Sequence, residues 1–101
     1  MEYNVIISDR AARMIGDHIR FVAQVNKKAS IELKNCFLTA FQSLQTFPQR
    51  YPFFNEPYII PNKYHKMFIE KYYIVLYQIK DSNVYVDYVI DCRKEYQWLI
   101  K

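Results

Sequence analysis

Glycine is almost missing from this chain, one residue in 101, and 51% of the residues are apolar against 24% charged. That balance excludes a disordered segment and predicts a folded globular chain. Cysteine is scarce too. Cys36 and Cys92 lie far apart with no CxxC spacing, which excludes a disulfide framework and a zinc knuckle and fits a reduced cytosolic protein. The two histidines, His18 and His65, form no zinc-ligand spacing with the cysteines, so neither a metal nor another cofactor is expected. No run of about twenty apolar residues occurs, and the opening MEYNVIISDRAARMI lacks a basic region followed by an apolar one, so neither a membrane span nor secretion is indicated. We expect one domain spanning residues 1–101, located in the cytoplasm.

What the chain has in plenty is tyrosine, ten residues, and positive charge, a net +4 on a small body. A basic surface of this size favours an anionic partner, nucleic acid or an acidic protein. The short β-branched run YNVIIS ends in Ser8, which with Asp9 is a good helix N-cap, so a first strand should pass directly into a helix ending near Asn26. Ala11, Ile15, Ile19 and Val22 recur at helical spacing there, and His18 falls inside the same apolar arc as a hydrogen-bonded packing histidine. A second periodic stretch, Leu33, Phe37, Ala40, Phe41, Leu44 and Phe47, stops at Pro48. The two helices, joined by a few residues around Lys27, read as an antiparallel hairpin.

FPQRYPFFNEPYIIPN carries all four prolines and reads as a loop leading into a sheet. Strands are expected at 64–69, 72–80 and 84–91, turning at Glu70 and Lys71 and at DSN. By alternation Val84, Val86, Tyr88 and Ile90 face the helices, while Tyr85, Asp87, Val89, Asp91 and then Arg93 face the open side, with Cys92 returning to the core. Tyr73, Tyr77 and Tyr85 are either strand packing or a stacking platform.

Three stretches in this order, VIISDRAARMIGDHIRFV, AFQSLQTFPQRYP and YHKMFIEKYYIVLYQIKDSNVYVDYVIDCRKEYQWL, together resemble the RelE/ParE superfamily of bacterial type II toxin–antitoxin toxins. The resemblance covers essentially the whole chain. It implies an α+β fold, an N-terminal strand and a two-helix antiparallel hairpin packed on an antiparallel sheet of about four strands. It also implies a cognate antitoxin from a neighbouring gene and growth arrest when that antitoxin is degraded. RelE-like members cut mRNA on the ribosome without metal, whereas ParE-like members poison DNA gyrase, and an inactivated toxin that retains antitoxin binding is a third outcome.

On the endoribonuclease reading, the resemblance assigns catalytic roles to Arg93, His65, Glu95 and Tyr96. Arg93 matches the arginine that stabilises the scissile phosphate, and Tyr96 matches the tyrosine that stacks near the substrate base. His65 stands where the family has an arginine; it can move protons near neutral pH but cannot offer phosphate a permanent bidentate fork. Glu95 replaces the family histidine and, like Glu70, is a candidate general base. Lys63 and Lys66 would hold the RNA backbone, and Arg50 and Tyr51 in the loop supply a further cation and stacking surface.

Overall fold

The computed structural model describes residues 2–57 and 59–93. Strand β1, Asn4–Ile7, passes through Ser8 into helix α1, Asp9–Val25. The Ser8 hydroxyl accepts the Ala11 amide at 3.0 Å, the N-cap its position predicts. Helix α2, Lys27–Ser43, follows after one residue. Asn26 makes so short a joint possible: its amide donates to the Val22 carbonyl at 2.9 Å while its side-chain oxygen accepts the Ala29 amide at 3.1 Å. One residue thus closes α1 and caps α2.

Helix α2 ends before Pro48, earlier than the apolar periodicity suggests. The Leu44 and Gln45 amides turn to carbonyls three residues back, and Phe47 takes a left-handed conformation at φ 48°. A short 3-10 turn at Pro48–Arg50 follows. Arg50 folds back and donates to the Ser43 carbonyl at 3.0 Å, placing a cation at the negative end of the helix.

Strands β2 (His65–Ile69), β3 (Tyr73–Lys80) and β4 (Asn83–Asp91) complete a sheet of order β1-β4-β3-β2. The β2–β3 and β3–β4 pairs are antiparallel and β1–β4 is parallel, so the sheet is mixed. The parallel pair follows from connectivity, since two helices intervene between β1 and the sheet and supply the crossover that parallel strands need. With almost no glycine available, the tight turns place Glu70, Lys71 and Asp81 at positive φ.

The alternation expected for β4 fails halfway along. Leu76 pairs with Tyr88 but Tyr77 pairs with Val86, leaving Asp87 as the extra residue of a bulge. Before the bulge Val84 and Val86 face the helices as predicted. Beyond it the faces exchange, and Val89 joins the helix-side core of Phe37, Phe41, Met67, Val75 and Tyr77. Tyr88 and Ile90 pack on the opposite side with Phe54, Tyr64, Ile74 and Leu76. Cys92 therefore packs against that second cluster, and Arg93 leaves the sheet on the helix side rather than the open one.

Because β1 pairs only with Asn83–Val86, the rest of β4 has a free edge, and α1 lies along it. His18 Nε2–H donates to the Val89 carbonyl at 2.7 Å, with its ring 4.9 Å from that of Tyr73. This is the hydrogen-bonded packing role its place in the apolar arc predicted. The single glycine, Gly16, sits inside α1, where a Cβ would meet only the far end of the Arg20 side chain, at 3.2 Å. Gly16→Ala is expected to stabilise the fold by about 0.5–1 kcal/mol, read as a higher thermal midpoint.

Candidate functional site

Where the hairpin of helices meets the β2–β3 turn, a cavity of about 330 Å³ opens at the end of the sheet. Arg93, Glu70, Glu32, Cys36, Tyr72 and Tyr73 line it over an apolar floor that includes Val22 and Leu33. The bulge at Asp87 is what delivers Arg93 there. Its guanidinium grips the buried Asp91 through two bonds, Nε to Oδ1 at 3.0 Å and Nη2 to Oδ2 at 2.8 Å, while its own amide donates to Oδ1 at 2.9 Å. The side chain is half exposed and lies 4.5 Å over the Tyr72 ring. Hydrogen bonds from Arg93 hold the Asp91 carboxyl below its usual range, and Asp91 in turn raises the guanidinium. The arginine is permanently charged and fixed in orientation, with one face of its side chain open to the cavity.

Across the cavity the Cys36 thiol donates to Glu70 Oε1 at 3.0 Å. That bond, with burial and the nearby carboxylates, pushes the thiol pKa up, so Cys36 stays protonated and is no nucleophile. Glu70, weighed from sequence as a candidate base, thus shares a cavity with Arg93. Among the described residues, the carboxylates Glu32 and Glu70 of this cavity, with Asp91 beside it, outnumber the Arg93 cation.

The other expected residues lie elsewhere. His65, in β2, is buried under the 48–54 loop: Nδ1 bonds to the Tyr51 carbonyl at 2.7 Å, and the ring lies 4.2 Å from Phe53 and 5.3 Å from Tyr77. It pairs with Tyr77, whereas Asp91, two residues before Arg93, pairs with Tyr73. Four residues of strand separate those positions, roughly 13 Å. Lys66 points to the opposite face, its ammonium 5.8 Å over Phe54 and 6.0 Å over Phe68. Lys63 lies over Tyr64. Arg50 is occupied at the end of α2 and stacks 5.2 Å over Tyr51, whose ring packs against the helix-side core. Glu95 and Tyr96 lie outside the described residues. Among the described residues no group of three or more His, Cys, Asp or Glu is arranged to hold a metal ion, and no helix is long and apolar enough to cross a membrane.

The slot around His65 carries its own prediction. A guanidinium there would be longer than the imidazole and would have to shed water between two aromatic rings. His65→Arg is expected to destabilise the fold by about 2–3 kcal/mol, seen as a lower urea midpoint with an unchanged m-value.

No protein-family model matches the chain, and no curated protein matches it in sequence. Its three-dimensional structure is similar to a chain of the chromosomal ParDE TA (toxin–antitoxin) system from P. aeruginosa, with a TM-score of 0.74 at 8% identity, over 89% of this chain and 96% of that one. At that identity the likeness is one of fold. Two helices packed on a sheet of four strands is the architecture that the RelE/ParE resemblance implied, and this chain has it, with the β1–β4 pair parallel where an antiparallel sheet was expected.

Proposed function

We propose that this chain is the toxin of a type II toxin–antitoxin pair, held inactive in the cytoplasm by a cognate antitoxin and acting, once released, as a ribosome-dependent mRNA endoribonuclease. The observation that supports the toxin reading is the likeness to a ParDE chain over nearly the full length of both proteins. The nuclease reading is supported by Arg93, a half-exposed arginine with a fixed orientation beside tyrosines and a carboxylate in one cavity. In metal-free cleavage a base takes the 2′-OH proton, a cation stabilises the charge developing on phosphorus, and an acid protonates the leaving 5′-oxygen. We assign the cation to Arg93 and proton transfer to Glu95, with Glu70 as the carboxylate sharing the Arg93 cavity. Tyr96 stacks on the base. His65 supports the loop over the sheet.

A specific observation favours a second reading. Among the described residues the carboxylates around Arg93 outnumber it, which opposes a phosphate there, and a toxin that works by gripping a protein such as DNA gyrase needs no phosphate at that point. The test is induced expression in a bacterium lacking the antitoxin, with mRNA 5′-ends mapped for the wild type and Arg93→Ala. Cuts within translated codons that vanish in Arg93→Ala bear out the nuclease. Growth arrest with DNA breaks and no cuts replaces it with the gyrase poison. Absence of any growth arrest removes the toxin reading and leaves an antitoxin-binding module.

A further inference from the structure

On the other face of the sheet, the bulge at Asp87 has a second consequence. It turns Tyr88 outward, toward the first turns of α1, and the Arg10 guanidinium lies 4.5 Å over its ring. Lys63, from the segment before β2, lies 5.3 Å over Tyr64, and the Tyr64 and Tyr88 rings meet edge to face at 5.9 Å. Arg13, one helical turn after Arg10, completes the rim of a cavity of about 570 Å³. Helix α1 and the segment before β2 thus bring three cations to one groove walled by two tyrosines.

None of the three cations forms an ion pair among the described residues, where the ion pairs are Arg20 with Asp17 and Arg93 with Asp91. The two carboxylates at the groove, Asp9 and Asp87, are outnumbered by its three cations. Asp87 accepts the Gln78 amide at 2.7 Å, and Asp9 lies exposed in the first turn of α1. Burial, with Asp87 beside it, pushes the Tyr64 hydroxyl up to about 12, so this wall stays neutral. The balance is the reverse of that at Arg93, where acids outnumber the cation.

We propose that this groove binds the phosphate backbone of single-stranded RNA, as an anchoring site separate from the Arg93 cavity. The Arg10 guanidinium over the Tyr88 ring forms no ion pair among the described residues, which leaves its N–H donors to a phosphate, a group that guanidinium takes bidentately. The half-buried Tyr88 beside the cations gives an unpaired base an aromatic contact that an acidic peptide has no flat group to use, while Tyr64 is buried. Beside the groove α1 lies along the free stretch of the β4 edge, the backbone that an added peptide strand would need. The proposal rests on the reading of the chain as one that acts on RNA, but it is tested by equilibrium binding, which needs no cleavage.

A fluorescein-labelled, uridine-rich single-stranded RNA is titrated with the full-length protein across a range of salt, by anisotropy, for the wild type and the triple variant Arg10→Gln, Arg13→Gln, Lys63→Gln. Each lost phosphate contact removes about 0.7 from the log–log salt slope for a single strand, so the variant should lose about 2 in slope and roughly 10- to 100-fold in affinity at low salt. Its circular dichroism and melting should match the wild type, because these side chains are exposed. Equal slopes and affinities for the two proteins, or no RNA binding by the wild type, overturn the proposal. So does poly-glutamate binding tighter than the RNA and lost in the same variant, which makes the groove a seat for an acidic protein. RNA binding lost in the variant, from a wild type whose expression leaves mRNA uncut, supports the groove and ends the nuclease reading alone.

Discussion

Tyr77→Ala is expected to remove much of the stability of the fold. Tyr77 sits in the middle of β3, fully buried, on the strand opposite the bulge of β4. Its ring stacks on His65 with 15° between the planes, and its hydroxyl donates to the Pro48 carbonyl at 2.7 Å. The ring therefore ties the sheet to the loop that follows α2, and the hydroxyl satisfies a carbonyl that the loop shields from water. Removing a buried aromatic side chain costs about 3–5 kcal/mol, and the carbonyl left without its donor adds roughly 1 more. Domains of this size have about 5–15 kcal/mol in total, so the loss consumes much of the margin. Tyr77→Phe keeps the ring and loses only the hydrogen bond, with an expected cost of about 1–2 kcal/mol. Urea unfolding of the pair separates the two contributions; equal, small losses would mean that the loop does not depend on this ring.

The elements were legible because each carries a local signal. Ser8 before an amphipathic run marks the start of α1, and the β-branched and aromatic runs mark three strands, found within a residue or two of their expected bounds. The bulge was not legible. Strand β4 reads Val84, Val86, Tyr88, Ile90 in unbroken alternation, with no glycine or proline at Asp87, and an alternating pattern is what an unbulged strand also shows. Only the partner exposes the difference, since β3 is apolar on both faces and can pair with either register.

That one residue decided the site. It exchanged the faces of everything after Asp87, so Arg93 went to the helix side and Tyr88 to the groove beside Arg10. One faint signal was present: Val89 is apolar among residues read as facing water. The second core was hidden for a different reason. A proline-rich segment reads as an exposed loop, yet its Phe54 is almost fully buried against Ile74, Leu76 and Ile90, so the open face is partly closed by its own approach to the sheet. The role of His65 lay in tertiary contacts with Tyr51, Phe53 and Tyr77, which no spacing along the chain expresses.

On the nuclease reading, Arg93→Ala is expected to reduce mRNA cleavage by about 10²–10³-fold, the scale of losing one preorganised charge-stabilising donor, while lowering stability by only about 1–2 kcal/mol. The stability cost is modest because the guanidinium is half exposed and water can replace part of what it gave. The acid limb of the stability profile checks the structural half independently. Asp91 has a folded pKa below its ordinary value, so the unfolded chain binds the proton more tightly. Its contribution is complete above the ordinary carboxylate pKa, near 4, and is lost as pH falls through the lower folded value. Without Arg93 that pKa rises, and the midpoint of acid unfolding should move to higher pH. Asp91→Asn separates anchoring from chemistry, because it removes the carboxylate that orients the guanidinium while leaving the arginine in place. On the nuclease reading it lowers cleavage by less than Arg93→Ala and abolishes the shift in acid unfolding between proteins with and without Arg93. Cleavage unchanged in Arg93→Ala, with the acid shift still present, would reduce Arg93 to the partner of a buried carboxylate and pass the phosphate to the groove on the other face.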